Sequence, residues 1–233
     1  YKEKIRIGLT NERHDNNMKL CGAIFDLDGT LLDSMGVWEE IGNKFLLSLG
    51  IKPNNEYNKV FKTMTLYQSA CYCIEKLGLD VTPQALVDRI NSLIENEYLH
   101  NIKCKEGVSD FLAVLAEHGV KMCVATATDK HLALPALKRN GIDKYFGEIF
   151  TCTDVGKGKN EPDIYNAALS YLGTKIDETL VFEDSYHAAE TAKKAGFKVA
   201  AVYDKFSGDA AEKISDCIIK SFKSADCKKI LFL

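Results

Sequence analysis

The chain has 233 residues, of which 46% are hydrophobic and 27% charged, proportions typical of a folded globular protein and not of a disordered or fibrous one. Thirty basic against 33 acidic side chains give a net charge of −3, which provides no cationic field for a polyanion and speaks against a nucleic acid partner. No apolar run approaches the roughly 20 residues of a membrane helix, and no apolar secretion segment begins the sequence. We therefore expect a cytoplasmic protein without a membrane partner.

The eight cysteines are scattered through apolar or helical contexts in a chain too long to need disulfides for stability. We expect them to be reduced and mostly buried. Cys71 and Cys73 form the one close pair, but no second pair or histidine accompanies them, so the sequence does not predict a zinc site.

The first strand begins after a polar N-terminal stretch. Residues 1–17 precede Met18 and are interpreted as an N-terminal extension that contributes no residue to the site. The apolar run "LCGAIFDL" (20–27) then predicts a buried strand that stops at a turn containing Gly29.

A helical block follows this strand. The stretches "VWEEIGNKFLLSLG", "LYQSACYCIEKLG" and "TPQALVDRINSLIENEYL" all carry apolar residues at helical spacing. No strand pattern interrupts them. The sequence therefore predicts a smaller helical domain over residues 34–103, inserted after the first strand.

Strands and helices alternate from there to the end of the chain. "VKMCVATA", "GEIFTCTD", "TLVFED", "KVAAVYD" and "DCIIK" have the character of short buried strands, and amphipathic helical patterns separate them. This alternation predicts an α/β fold with a parallel sheet and helices on both faces. The predicted Rossmann-like core comprises residues 18–33 and 104–233.

Polar residues follow the predicted strands, where open parallel sheets bind their ligands. They are Asp26, Asp28, Thr126, Thr128, Asp154, Lys157, Lys159, Glu183 and Asp184. Carboxylates gathered at one edge repel one another, so a cation must lie among them. Lysine supplies one charge, and a cluster of hard oxygen ligands is also what Mg²⁺ prefers, commonly together with substrate phosphate.

The spacing of Asp26 and Asp28 allows the two carboxylates to act on the same group in different roles. Residues two apart in an extended segment point the same way, so both carboxylates face a common point while Leu27 turns into the core. One carboxylate can attack phosphorus, and the other can donate and later remove a proton.

Four motifs in order resemble those of the haloacid dehalogenase-like superfamily, in the subgroup of β-phosphoglucomutases and phosphatases with an α-helical cap. "DLDGTLLDS" resembles the first motif, which implies that Asp26 is the nucleophile and Asp28 the general acid and base. The same resemblance implies that the Asp26 carboxylate and the Asp28 backbone carbonyl bind the metal. "VATAT" resembles the second and implies Thr126 and Ala127 as phosphate ligands.

The last two motifs complete the resemblance. "KNEPDIY" implies Lys159 as the lysine that contacts phosphate and stabilises charge, and "VFEDSYHAAETAKKAGF" implies Glu183 and Asp184 as Mg²⁺ ligands. Two positions depart from the family pattern. Asn160 stands where proline is common and Ala188 where glycine is common, but neither change removes a functional group.

Within this resemblance the sequence favours phosphoryl chemistry. Dehalogenases lack an acid two residues after the nucleophile and transport ATPases have threonine there, whereas this chain has Asp28. A phosphonoacetaldehyde hydrolase would need a Schiff-base lysine that "FLLSLGI" lacks. The expected activity is Mg²⁺-dependent hydrolysis of a small phosphorylated metabolite through an aspartyl phosphate, by a monomer or weak dimer.

Two alternatives stay open. A β-phosphoglucomutase-like mutase would need a cationic group in the cap for a second phosphate, and Arg89 is the one arginine available in residues 34–103. A phosphate-binding protein without turnover is the other alternative. We further expect Trp38 to lie in the cleft, Lys157 to be a loop charge, and the pair Asp33-Ser34 to act only as a helix cap.

Overall fold

The computed structural model describes residues 19–48, 50–53, 64 and 66–233, so the predicted extension over residues 1–17 lies outside the described residues. Its centre is a six-stranded parallel sheet in the order β3-β2-β1-β4-β5-β6. The strands are β1 (Gly22–Phe25), β2 (Lys121–Thr126), β3 (Ile149–Thr151), β4 (Thr179–Glu183), β5 (Lys198–Val202) and β6 (Cys217–Ile219). The prediction of an α/β fold with a parallel sheet is confirmed.

The described residues contain nine α-helices. They are α1 (Met35–Ser48), α2 (Leu66–Leu77), α3 (Pro83–His100), α4 (Val108–Glu117), α5 (Lys130–Arg139), α6 (Cys152–Val155), α7 (Asp163–Leu172), α8 (Tyr186–Lys194) and α9 (Cys227–Leu231). Alternate residues of β1 enter different cores: Phe25 packs in the cluster that contains α4, and Ile24 packs with α7 and α8. Both faces of each central strand are therefore apolar, as the sequence predicts.

The helices α1, α2 and α3 fall between β1 and β2, and the described residues from 34 to 103 contain no strand. The chain enters and leaves this block side by side. Asp33 N–H donates to the Lys103 carbonyl and Lys105 N–H donates to the Leu31 carbonyl, each at 2.9 Å. These two backbone bonds join the segments that connect the helical block to the sheet.

The third strand is shorter than its sequence predicts. "GEIFTCTD" forms a strand only over Ile149–Thr151 and then turns into α6. Thr151 Oγ1 accepts from Asp154 N–H at 3.0 Å, and the Asp154 carboxylate accepts from Thr151 N–H at 3.3 Å. This reciprocal cap starts a helix where the sequence pattern predicts strand. Asp154 is thereby occupied as a helix cap.

All eight cysteines are unpaired, as expected. Only Cys73, Cys123 and Cys152 are fully buried, and the other five are half-buried, so their burial is less complete than predicted. Among the described residues, no helix combines the length and apolar character needed to cross a membrane.

Candidate active site

The register of the sheet brings Asp26 beside Glu183. β1 and β4 are neighbours, with Phe25 level with Phe182, so the residues that follow are also level. Asp26 N–H donates to the Phe182 carbonyl at 2.9 Å, which fixes the end of β1. Two carboxylates from distant parts of the sequence therefore meet at the carboxyl edge of the sheet, at the point where the strand order reverses.

Lys159 links these two carboxylates. Its ammonium forms an ion pair with Asp26 Oδ1 and with Glu183 Oε1, the latter at 2.5 Å, and all three side chains are nearly or fully buried. Burial alone lowers the pKa of Lys159, but the carboxylates of Asp26 and Glu183 outweigh it and hold that pKa well above its usual value. Lys159 is therefore a fixed positive charge at this edge.

Asp184 adds a third carboxylate to those of Asp26 and Glu183. It is 4% exposed, and its Oδ2 accepts a hydrogen bond from the Ser207 hydroxyl. Gly29 has φ +82°, and a Cβ at Gly29 would lie 2.3 Å from Asp184 Oδ2. Glycine is required there both for the left-handed backbone and for the close approach of the carboxylate.

Asp26, Glu183 and Asp184 form a compact acidic cluster whose oxygens lie within 4.8 Å of one another. Burial, followed by the charge of Glu183, raises the pKa of Asp26 well above its usual value and that of Asp184 to about 7. One lysine does not balance three buried carboxylates. An all-oxygen donor set with surplus negative charge fits Mg²⁺.

Asp28 lies beside this cluster but faces a different set of partners. Its Oδ1 accepts hydrogen bonds from the Ser34 hydroxyl at 2.6 Å and the Tyr98 hydroxyl at 2.5 Å. Its Oδ2 accepts from the Thr128 hydroxyl at 2.6 Å. Asp28 also lines a cavity below the helical block, so its carboxyl is oriented by three hydroxyl groups at the edge of an open space.

The prediction that Ser34 is only a helix cap is wrong. Its carbonyl does accept from the backbone N–H groups of Val37 and Trp38 at the start of α1, but its hydroxyl donates to Asp28. The prediction placed the side chain on the neighbouring backbone. In the structure the nearby carboxylate is the acceptor, because a charge-assisted hydrogen bond is stronger than a neutral one.

Trp38 lies in the cleft, as predicted, and it also fixes the direction of the Tyr98 hydrogen bond. Trp38 Nε1 is only a donor, and it donates to Tyr98 Oη at 2.8 Å. The single hydroxyl proton of Tyr98 is then available for Asp28. Burial, and next the charge of Asp28, raise the pKa of Tyr98 well above its usual value, so the hydroxyl stays protonated.

The strand β2 ends on the other side of β1. Thr126 is fully buried, and its Oγ1 accepts a hydrogen bond from Thr128 N–H at 3.0 Å. Ala127 and Thr128 line the cavity, whereas Thr126 does not. Thr126 thus shapes the turn in which Ala127 and Thr128 face the open space. Lys157 is half exposed and pairs with Asp163 at 3.0 Å, in agreement with the prediction of a loop charge.

Sequence reasoning missed three residues that contact these groups: Tyr98, Tyr165 and Ser207. The Tyr165 hydroxyl donates to Glu183 Oε1 at 3.0 Å, so it shares this oxygen with Lys159. Tyr98 and Tyr165 both fall on the buried stripe of an amphipathic helix. A buried tyrosine hydroxyl needs a polar partner, and this is the signal that could have identified them.

Comparison with known proteins agrees with this geometry. The sequence profile described as haloacid dehalogenase-like hydrolase matches residues 23–202, from the first strand to the end of β5. The chain belongs to the haloacid dehalogenase-like hydrolases. The resemblance drawn from the four motifs is therefore confirmed.

Two relatives of this haloacid dehalogenase-like hydrolase carry phosphatase names. The phosphorylated carbohydrates phosphatase of Thermotoga maritima is 26% identical over 76% of this chain and 82% of its own length. The pyrophosphatase PpaX of Halalkalibacterium halodurans is 28% identical over 79% of this chain and 84% of its own length. These names and the family match confirm the prediction of a phosphohydrolase.

A solved structure with the same fold is the β-phosphoglucomutase of Clostridium difficile. The TM-score is 0.76 at 16% identity, with 91% of this chain and 95% of that chain covered. Likeness at this identity concerns the fold alone. The fold therefore occurs in a mutase as well, and the choice between hydrolysis and transfer depends on the residues around the site.

Proposed function

We propose that this haloacid dehalogenase-like hydrolase is a Mg²⁺-dependent phosphatase that hydrolyses a small phosphate monoester through an aspartyl phosphate on Asp26. The observation that carries the proposal is the position of Asp26. Its carboxylate pairs with Lys159, lies in one acidic cluster with Glu183 and Asp184, and follows the strand whose loop also presents Asp28.

Asp26 is the proposed nucleophile. It is held by its backbone bond to β4 and by the ion pair with Lys159, so the carboxylate is oriented before substrate enters. In the proposed first step the free carboxylate oxygen of Asp26 forms a bond to phosphorus, and the bond from phosphorus to the alcohol oxygen breaks.

Asp28 is the proposed general acid and base. Its carboxyl lines the cavity and is oriented by the hydroxyls of Ser34, Tyr98 and Thr128. It gives a proton to the leaving alcohol in the first step. In the second step it removes a proton from water, whose oxygen attacks phosphorus and releases phosphate from Asp26.

Lys159 is the proposed phosphate ligand that balances the charge developing on the transferring group, together with groups at the end of β2. Thr126 and Ala127 are the proposed partners there. The turn at Thr126 supports this assignment, since it places Ala127 at the wall of the cavity.

Asp26, Glu183 and Asp184, with the backbone carbonyl of Asp28, are the proposed ligands of Mg²⁺. When bound, the ion would polarise the phosphoryl oxygens and reduce the repulsion between substrate and carboxylates. The raised pKa values of Asp26 and Asp184 agree with this assignment, because burial first and the neighbouring charge of Glu183 second disfavour the ionised carboxylates in the absence of a cation.

The helical block, residues 34–103, is the proposed cap, and residues 18–33 and 104–233 are the proposed core. The pairing of the two connecting segments at Asp33 and Lys103 supports movement of the block about one shared hinge. A cap that opens there would admit substrate and, on closing, return Tyr98 to Asp28.

A mutase is disfavoured by Arg89. Its guanidinium is exposed and donates to Ser48 Oγ at 3.2 Å, and it does not line the cavity above Asp28. A mutase needs a cation for the second phosphate of its bisphosphate intermediate, and arginine is the usual choice. Conversion of a sugar 1-phosphate to the 6-phosphate would show that the mutase alternative is correct.

The experiment is release of phosphate from p-nitrophenyl phosphate. We expect activity that EDTA removes, that added Mg²⁺ restores, and that Asp26→Asn abolishes. Asp33→Asn is the matched control, because Asp33 lies in the same loop but is exposed. Phosphate binding without turnover in the wild-type protein would instead support the alternative of a binding protein.

Three properties stay predictions: the natural substrate, the oligomeric state (monomer or weak dimer) and the cytoplasmic location. We expect the substrate to be a small phosphorylated metabolite. A panel of phosphorylated metabolites, assayed by phosphate release, would identify the class that it belongs to.

A further inference from the structure

A cavity of about 950 Å³ lies between the helical block and the carboxyl edge of the sheet. Asp28, Ala127 and Thr128 line it on the side of the sheet. Pockets of this size hold a whole small organic ligand, and a phosphoryl group alone would occupy only a small part of the space. The remainder is available for the alcohol that leaves.

The wall opposite the sheet is largely apolar. It includes side chains from α1, α2 and α3, which point into the same space: Trp38, Ile41, Phe45, Ala70, Val87 and Ile90. On α1 these residues recur at intervals of three and four, so one face of that helix lines the cavity. The same block also lines the cavity with uncharged polar side chains, namely Tyr67, Gln68, Ser69, Gln84 and Asn91. Apolar side chains thus form most of this wall but not all of it.

Charge is scarce on the same wall. Among the described residues of the helical block, Glu39 is the one charged residue that lines the cavity, and its charge is negative. On the core side Lys157 pairs with Asp163, and the ammonium of Lys205 lies 4.7 Å from the ring centre of Phe206. The described block thus offers no cation to a second phosphate or carboxylate.

We propose that the substrate is a phosphate monoester of an apolar alcohol with no second anionic group, and that the alcohol binds against α1, α2 and α3. This inference rests on the proposed function and specifies the substrate of the same site. Its physical basis is that each methylene group moved from water onto an apolar wall contributes favourably to binding.

The test is a homologous series of linear alkyl phosphates from ethyl to hexyl phosphate, assayed by phosphate release. We expect kcat/KM to rise by up to about fourfold for each added methylene group. We also expect hexyl phosphate to exceed glucose 6-phosphate and pyrophosphate. A flat series, or a preference for either polar substrate, would overturn the inference.

These assays distinguish failure of the phosphatase activity from failure of the apolar binding site. If p-nitrophenyl phosphate and every alkyl phosphate are left intact, the proposed phosphatase activity is wrong. If they are hydrolysed at rates independent of chain length, the activity stands and the apolar binding site is wrong.

Ile90→Asn tests where the alcohol of the substrate binds. Ile90 lines the cavity from α3, and we expect the variant to flatten the dependence of kcat/KM on chain length. Leu93→Asn is the matched control on the same helix, because Leu93 is 46% exposed and does not line this cavity. An unchanged slope in Ile90→Asn, or the same flattening in Leu93→Asn, would contradict the assignment.

Ala70→Phe tests the same space by filling it. Ala70 is buried on α2 at the cavity wall, so a phenyl group there takes volume from the alcohol. We expect kcat/KM to fall by at least tenfold for hexyl phosphate and by much less for ethyl phosphate. Circular dichroism of both cavity variants separates these results from loss of fold, and an equal fall for the two esters would overturn the location.

Discussion

The hydroxyl of Tyr98 donates a hydrogen bond of 2.5 Å to Asp28 Oδ1, although the two residues are 70 positions apart. Tyr98 belongs to α3 of the helical block, and Asp28 belongs to the loop that follows β1. A residue of the helical block therefore contributes directly to the orientation of the carboxyl group proposed as acid and base.

Tyr98→Phe tests this link. The variant removes a hydrogen bond to a charged group, and we expect kcat for an alkyl phosphate to fall roughly tenfold or more. For p-nitrophenyl phosphate, whose leaving group needs little protonation, we expect a smaller fall. Tyr171→Phe is the control, since Tyr171 is exposed. An equal fall for both substrates would mean that Tyr98 only supports the fold.

Lys159→Met leaves the carboxylates of Asp26 and Glu183 buried without their common partner. We expect the free energy of unfolding of the metal-free protein to fall by roughly 3 to 5 kcal/mol, measured by urea denaturation. Phosphatase activity should be lost as well. Lys157→Met removes an exposed ion pair and should leave the unfolding midpoint unchanged. Similar losses in the two variants would contradict the assigned role of Lys159.

Asp184 gives the metal-free protein a defined pH dependence. Its folded pKa of about 7 lies above the unfolded value near 3.8, so the folded state binds the extra proton between these values. The stability that Asp184 contributes is present at low pH and is lost as the pH rises towards about 7. In EDTA, we expect the stability of Asp184→Asn relative to wild type to be greater at pH 8 than at pH 5, by urea denaturation. A constant difference would show that Asp184 does not titrate in this range.

Gly29→Ala places a methyl group 2.3 Å from Asp184 Oδ2 in a left-handed backbone. We expect stability to fall by roughly 1 to 3 kcal/mol and the Mg²⁺ concentration for half-maximal activity to rise, because Asp184 must move. Gly141→Ala is the control, since Gly141 has φ +69° and no heavy atom within 4 Å of the added Cβ. It should show the backbone penalty with the Mg²⁺ requirement unchanged. A changed Mg²⁺ requirement in both variants would mean that backbone strain, and not Asp184, is responsible.

The sequence predicted the α/β fold because strand and helix periodicities are local properties. The runs from "VKMCVATA" onwards gave the correct order of elements, and the helical block was recognised from apolar spacing alone. The exception is β3, where the cap formed by Thr151 and Asp154 converts the end of a strand pattern into α6. Such a reciprocal hydrogen bond involves two specific side chains and leaves apolar periodicity unaffected.

The candidate site was partly predictable for a different reason. Open parallel sheets bind ligands beyond the ends of their strands, so strand-end residues such as Asp26, Lys159 and Glu183 could be collected before the strand order was known. Their meeting depends on β1 and β4 being neighbours in register, with Phe25 level with Phe182. The resemblance to the family supplied the order of motifs, but the structure supplied the pairing.

The sequence by itself determined the fold class and the acidic and basic groups at the end of the strands. Only the tertiary structure decided that Tyr98 contacts Asp28, that Ser34 donates to the same carboxyl, and that Arg89 turns away from the cavity. Periodicity specifies which face of a helix is buried, but the partner that a buried hydroxyl meets depends on how separate elements pack.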